Sequence, residues 1–493
     1  MADLQTTNRV ALAKVREATF GVTPASPAFK AIRQTSSGLN ANPKTVITQE
    51  IRPDRQVTDL ILVGQEAGGS VGGEMAFSVV DDDLEEAVQG TWSSNPSITV
   101  VTSDTEISDL STTAATVASG GTAFKTGMLT QLTGFPTAAN NKLARVASST
   151  STTITYPAAT FSADAVIPVG ATIRQVGFEG ATGDLVATTS GGNALTSTVL
   201  DFTTLGIAAG EWVKVGDGDN AGKSFAVTTA NNGFCRVSGV AANRLSFDRV
   251  PAGWAGDSGT GVALRVFTGD FLTNASTKRS NTIERQYLDH SPVTYEYLTG
   301  MTLNTLQIEG KQQAIATYTK NYIGKQASTV TARVSGATDI AAPAYAVLNT
   351  STNVGRIGFD GSTITGPNFV MGATININNN LRAQMAVGSL GAVGTGNGEF
   401  TVTGTLETYF GDKTLYDKII NNTLTSFDIR FGRSDGYRET ILIDLPSIKL
   451  GSGAPSVAGK NQDVTISAGF TAFRDATLLY TVGIGRFWYL PTS

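Results

Sequence analysis

The sequence predicts an all-β fold with one or two short helices, on three observations: period-two alternation, abundant glycine, and helix signals confined to two short segments. Ile375, Ile377 and Leu381 lie on one side of a run whose other side carries Asn376, Asn378 and Asn380. Val402, Gly404, Leu406 and Phe410 alternate with Thr401, Thr403, Thr405, Glu407 and Tyr409. Val464, Ile466, Ala468, Phe470 and Ala472 alternate with Asp463, Thr465, Ser467 and Thr471, and Leu478, Tyr480, Val482, Ile484, Arg486 and Trp488 extend the register to the end of the chain. Such runs describe half-buried antiparallel strands, one face on a core and the other toward water.

The first helix signal is Asp81, Asp82 and Asp83 ahead of Leu84 to Gln89, closed by Gly90. An acidic cap and first turn complement the helix dipole, so these carboxylates read as capping and solvation. The second runs from Thr414 to Asn421, with Leu415, Tyr416, Ile419 and Ile420 as its apolar face.

At 493 residues the chain exceeds one ordinary core, and two to four structural units are expected. Charged residues are only 16%, against about 25% in typical soluble chains, so extensive surface is expected to be covered by neighbouring subunits. The net charge of −5, without runs of like charge, argues against tight nucleic-acid binding, which needs clustered cations. Residues 1–21 lack the apolar stretch of a signal peptide, and no run is long enough to cross a bilayer as a helix, so a cytoplasmically made chain outside the membrane is expected.

The middle of the chain carries an internal duplication. Residues 140–146, NNKLARV, match residues 231–237, NNGFCRV, and the interval from Arg145 to Ile154 and Arg174 equals that from Arg236 to Leu245 and Arg265. Two tandem small β-modules are expected, at 100–180 and 181–268, inserted into a discontinuous scaffold formed by 1–99 and 269–493.

Catalytic chemistry finds little purchase. His290 is the only histidine, which removes most acid–base dyads and triads. Cys235 is the only cysteine, excludes a disulfide framework, and aligns with Ala144 as a packing position. Residues 216–224, GDGDNAGKS, miss the phosphate-loop register because Asp217 stands where a glycine is required. Asp217, Asp219 and Asn220 open like a calcium loop, but Thr228 occupies the position of the bidentate Glu. No catalytic residue, metal site or cofactor is expected.

Four segments, in order, resemble the tail tube proteins of siphophages. They are residues 17–24 (EATFGVTP); 50–59 (EIRPDRQVTD) with 68–74 (GGSVGGE); 282–287 (TIERQY) with 297–305 (YLTGMTLNT); and 378–381 (NNNL) with Thr403-Gly404, Tyr409-Phe410 and 470–475 (FTAFRD). The resemblance covers most of the scaffold and leaves 100–268 untouched. It implies a β-sandwich or barrel tube domain, related in fold to the type VI secretion tube protein. Subunits of that kind form rings, usually hexameric, stacked into a hollow conduit for DNA ejection from the virion.

The resemblance further implies that a hairpin near Glu50, Ile51, Arg52, Asp54, Arg55, Asp59 and Glu66 joins neighbouring subunits and helps wall the lumen. Glu50, Asp54, Asp59 and Glu66 are then the expected lumen-facing acids, past which DNA slides without specific binding. The glycines at 68, 69, 72 and 73 suit a bulged or flexible stretch that orders against a neighbour. Phe20, Pro24, Trp488 and Tyr489 are the expected ring-stacking residues. Further copies of itself, and the tape-measure, tail-tip and tail-terminator proteins, are the implied partners, with assembly in the bacterial cytoplasm and no membrane involvement. The alternative is a β-rich virion decoration or surface-adhesion protein whose duplicated modules bind host glycans.

Overall fold

A computed structural model describes residues 4–364 and 366–492; residues 1–3, 365 and 493, which fall within the expected scaffold segments, lie outside the described residues. Among the described residues the chain is strand-rich, with two seven-residue α-helices, Asp81–Ala87 and Thr414–Ile420, in the two places the sequence marks. Twenty strands between Val10 and Phe487 join one hydrogen-bonded network, and residues 97–267 contribute none of them. The alternating runs at 370–378, 401–409 and 465–472 pair side by side in that network. The last run is shorter than its alternation suggests: the strand is Gly483–Phe487, because Asp475 folds 475–479 into a turn by accepting from the Thr477 and Leu478 amides.

The central element is the 18-residue strand Thr294–Lys311. Its first half pairs with Ser280–Tyr287 and Gln326–Val330, its second half with Thr317–Gly324 and Val370–Asn378. Gly300 marks the change, at φ +69°, and a Cβ there would fall 2.8 Å from both Phe20 Cζ and Lys325 Cβ. The buried Glu17 carboxylate fixes this corner, accepting from the amides of Gly21 and Gly300 and the hydroxyls of Ser280 and Thr282. Beyond the corner, Asn304 is skipped by the ladder; its side chain accepts from the Leu381 amide, while buried Asn379 donates to the carbonyls of Leu303 and Ala87. The segments 17–24, 297–305 and 378–381 therefore converge on one piece of structure.

The helix Asp81–Ala87 is not capped by its acids. Its N-cap is Val80, and Asp81, Asp83 and Glu86 are buried rather than solvated. Lys14 bonds both Asp83 (2.7 Å) and Glu86 (2.9 Å), Lys320 bonds Asp83 (2.9 Å), and Arg486 spans Asp81 and Asp270. Burial pushes the Asp83 carboxyl up, but the two lysines outweigh it and hold it down at about 2.

Residues 97–267 build two sheets of their own, of ten and four strands. The ten-stranded sheet begins at Ser97–Thr99, which pairs with Thr172–Glu179. That strand also pairs with Met128–Thr133 on one side and Arg265–Phe267 on the other, so both copies of the duplication share one sheet. Each copy repeats the same bonds. Asn140 exchanges hydrogen bonds with the Ser162 backbone as Asn231 does with Ala255, and Asn141 brackets Phe135 as Asn232 brackets Phe225. Asp164 accepts from the Thr137 amide, and Asp257 from that of Thr228.

A seam joins insert to scaffold. Leu129, Val176, Trp212, Phe234 and Phe267 pack against Leu442, Phe487 and Leu490. Arg236, 2% exposed, bonds Asp248 within the insert and Asp444 of the scaffold (3.0 Å). Buried Glu211, beside this seam, accepts from the Ala208 amide, and desolvation pushes its carboxyl up to about 8.

Two outcomes follow from these geometries. Gly300→Ala strains a left-handed position and overpacks the corner, which lowers stability by about 2–4 kcal/mol in urea denaturation. Because the folded chain holds the Glu211 proton more tightly than the unfolded one, its contribution is present at low pH and lost as pH climbs from 4.5 through about 8. Glu211→Gln therefore flattens the fall in melting temperature between pH 5 and 8 and melts higher than the parent at pH 8.

Candidate functional site

The feature that stands apart from the packed body is a β-hairpin arm, Asn40–Ile47 paired with Leu60–Glu74. Its root is locked. Residues 67–74 pair with Thr317–Gly324 on one side, and Gly72 and Val71 with Ser36 and Ser37 on the other. The glycines here serve close approach rather than flexibility: a Cβ on Gly73 would lie 2.3 Å from the Tyr318 ring, and one on Gly69, at φ +119°, 2.2 Å from the Gly38 carbonyl. The last tie to the body is Gln65, whose amide donates to the Leu390 carbonyl and whose side chain donates to that of Ala327.

Beyond Gly64 the arm projects with both faces in solvent. Strand length alone, at roughly 3.3 Å per residue, carries its shaft on the order of 25 Å from the root at Gly68. The register Thr45↔Leu62, Val46↔Ile61, Ile47↔Leu60 puts Leu62, Ile47 and Leu60 on one face and Val46 and Ile61 on the other. All five are about half exposed, and Val63 beside them likewise. An isolated two-stranded ribbon is marginal in water, and one apolar on both faces is an association surface. The resemblance pointed to a hairpin here and its charges at 50–66 were weighed, but the sequence reading does not include the apolar shaft. The signal was present, because Leu60-Ile61-Leu62-Val63 breaks the alternation that a strand with one solvated face would keep.

The charged residues sit on the tip and flank of the arm. Arg52 pairs with Asp54 (2.9 Å), and that hydrogen bond holds the Asp54 carboxyl below its usual range. Lys44 pairs with Glu66. Asp59 accepts from its neighbour's amide at Leu60, and Thr48 and Thr58 hydroxyls close the base of the tip (2.6 Å). Glu50, Ile51 and Arg55 are exposed, Ile51 fully. The structure thus brings the seven hairpin residues onto one arm.

The four expected stacking residues are placed less uniformly. Phe20 is half-buried on the Gly300 corner and Pro24 is half-buried nearby in sequence. Trp488 lies edge-on to Phe77 and under Arg174 (3.9 Å to the ring centre), donating to Asp270 (2.8 Å). Tyr489 sits between Phe267 and Tyr437. Both aromatics are therefore occupied at the seam of their own chain.

The residues weighed for catalytic or metal chemistry in the sequence are held in ordinary packing. His290 stacks on Tyr287 and bonds the Thr294 hydroxyl. Cys235 is buried, which pushes its thiol up. In 216–224, Asp217 bonds Arg265, Asp219 bonds Arg438, and Lys223 bonds Glu179. Among the described residues no group of three or more His, Cys, Asp and Glu side chains is arranged to hold a metal.

Comparison with known families places the chain among structural proteins of phage tails. The family described as phage tail tube protein matches residues 7–248 and 249–472, so the chain belongs to that family. The match runs through the whole of 100–268, which the four resembling segments do not touch. No curated protein matches the chain. It is a tail tube subunit of a bacteriophage virion, built to assemble with copies of itself and with other tail proteins.

Because the shaft side chains are about half exposed and belong to no hydrophobic core of their own chain, Ile61→Ser with Leu62→Ser leaves the melting of the isolated subunit unchanged within about 0.5 kcal/mol. The same pair abolishes assembly, read by sedimentation of the concentrated protein.

Proposed function

We propose that the chain closes into rings, six subunits to a ring as the resemblance implies, and that the rings stack into the conduit for DNA ejection. The observation that carries this reading is the arm, apolar on both faces and bare in the single chain. Inserted between two neighbours, it loses both wetted faces at once. Its acidic tip then lies at the lumen, with Glu50, Asp54, Asp59 and Glu66 lining the channel. Two of these acids already carry a cation of their own chain, Arg52 or Lys44. The wall is therefore only mildly negative, which repels the DNA backbone without setting up a field that opposes its passage.

Stacking one ring on the next takes two different complementary faces that do not close. Phe20 and Pro24 supply one contact. Trp488 and Tyr489, held at the seam, contribute through their outer edges. The two inserted modules decorate the outside of the tube. The tape-measure protein fills the lumen during assembly in the host cytoplasm, and tail-tip and terminator proteins cap the ends.

Negative-stain microscopy of the concentrated wild-type protein is expected to show stacked rings or hollow tubes with outward bumps. Persistent single subunits, even with tail-tip complexes added as seeds, would overturn the ring reading. Glu50→Lys with Asp54→Lys is expected to slow DNA ejection from intact tails several-fold while leaving subunit melting unchanged. Ejection at the wild-type rate would remove these acids from the lumen.

A further inference from the structure

Within the scaffold, where the C-terminal segment lies down, a cavity of about 220 Å³ opens, lined among others by Arg430, Arg433, Arg438, Thr352, Ser434, Thr440 and Thr492. No carboxylate lines it. Arg433 is matched by Asp435 and Glu439, and Arg438 by Asp219. Arg430 differs: among the described residues no carboxylate or other acceptor lies within hydrogen-bonding reach of it. Its guanidinium rests 5.0 Å from the centre of the Phe234 ring and lies over Gly355, where a Cβ would fall 1.9 Å from its Nη2. The glycine therefore clears the space that this cation occupies.

The surroundings add to the excess of positive charge. Lys214, 5% exposed, is likewise without a bonded carboxylate among the described residues. Burial and the Arg430 charge together pull the Lys214 ammonium down, and burial followed by Arg356 does the same to Arg430. Arg430 is half-buried, and a partly desolvated guanidinium with no counter-charge of its own favours an anion beside it. The hydroxyls of Thr352, Thr440 and Thr492 already donate within the chain, to Asn349, the Arg438 carbonyl and Asp219. The Arg430 guanidinium, the Nη2 groups of Arg433 and Arg438 and the Ser434 hydroxyl, bonded to no acceptor among the described residues, are the donors left for a tetrahedral or planar oxyanion, which guanidinium groups bind by paired hydrogen bonds.

We propose that this cavity is an oxyanion-binding site that locks the C-terminal segment onto the scaffold, with Arg430 as its principal ligand. The ion is either free phosphate or a carboxylate presented by a second copy of the chain. Both satisfy the same donors, and they separate experimentally.

The test is thermal unfolding of the full chain in chloride and in inorganic phosphate at equal ionic strength. Wild type is expected to show a saturable rise of several degrees with phosphate. Arg430→Gln abolishes the rise, and in chloride melts no lower than wild type, because it removes an uncompensated charge. Gly355→Ala, which displaces the guanidinium, weakens the phosphate response at least tenfold in midpoint concentration. Equal responses in wild type and Arg430→Gln, or a linear rise without saturation, would overturn the site. Assembled tubes then distinguish the source. Radiolabelled phosphate retained at one per subunit identifies the free ion, whereas phosphate that slows assembly and is expelled from finished tubes identifies a carboxylate of the neighbouring copy. Tubes form in the first case regardless of phosphate, so loss of the site and loss of the tube reading are scored separately.

Discussion

The scaffold depends on a small set of charges that water does not reach. Lys14 comes from the first strand, Lys320 from the middle of the chain, Arg486 from the last strand, and all three converge on the short helix Asp81–Ala87 and on Asp270. A helix of seven residues has too few turns to hold itself. It is kept in place because each of its buried carboxylates would be a several-kcal/mol liability without its cation, and each cation without its carboxylate. The two scaffold segments, separated by the whole insert, are thereby committed to the same core.

Around that fixed point the molecule divides its labour. The corner at Gly300 and the bulge at Asn304 bend one long strand through two ladders, and the neighbouring segments are spent on holding that bend. The arm makes almost no contacts beyond Gln65, so its apolar shaft is free for another chain. Rigidity at the root and exposure along the shaft belong together: glycines that permit close strand approach at 68–73 anchor a ribbon whose far end stands bare in the single chain.

Much of this was legible in the sequence. Period-two alternation located the strands at 370–378, 401–409 and 465–472, and the acidic and amphipathic signals located both helices. The repeated Asn-Asn pair marked the duplication because each of those asparagines is a buried bracket that few other side chains replace. The misreadings share one physical cause, that sequence shows charge but not burial. Asp81, Asp83 and Glu86 look like a solvated cap until Lys14, Lys320 and Arg486 arrive from elsewhere in the chain. The glycine-rich run looked loose because the partners that crowd it, Tyr318 and Gly38, are distant in sequence or around a turn.

The chain leaves the scaffold and returns to it at nearly one point. Ser93 bridges to Phe271, and the Asn95 amide donates to Asp270 (2.8 Å). Topologically the pair of modules is a cassette, and a genome that loses or exchanges it need not redraw the scaffold's ladders. The seam sets one condition on such an exchange. Asp444 is buried against Arg236, so a change of modules that removes this arginine also removes the cation facing the scaffold carboxyl. Position 444 is thus where modules and scaffold are matched charge to charge, and the seam carries its own key as well as its grease.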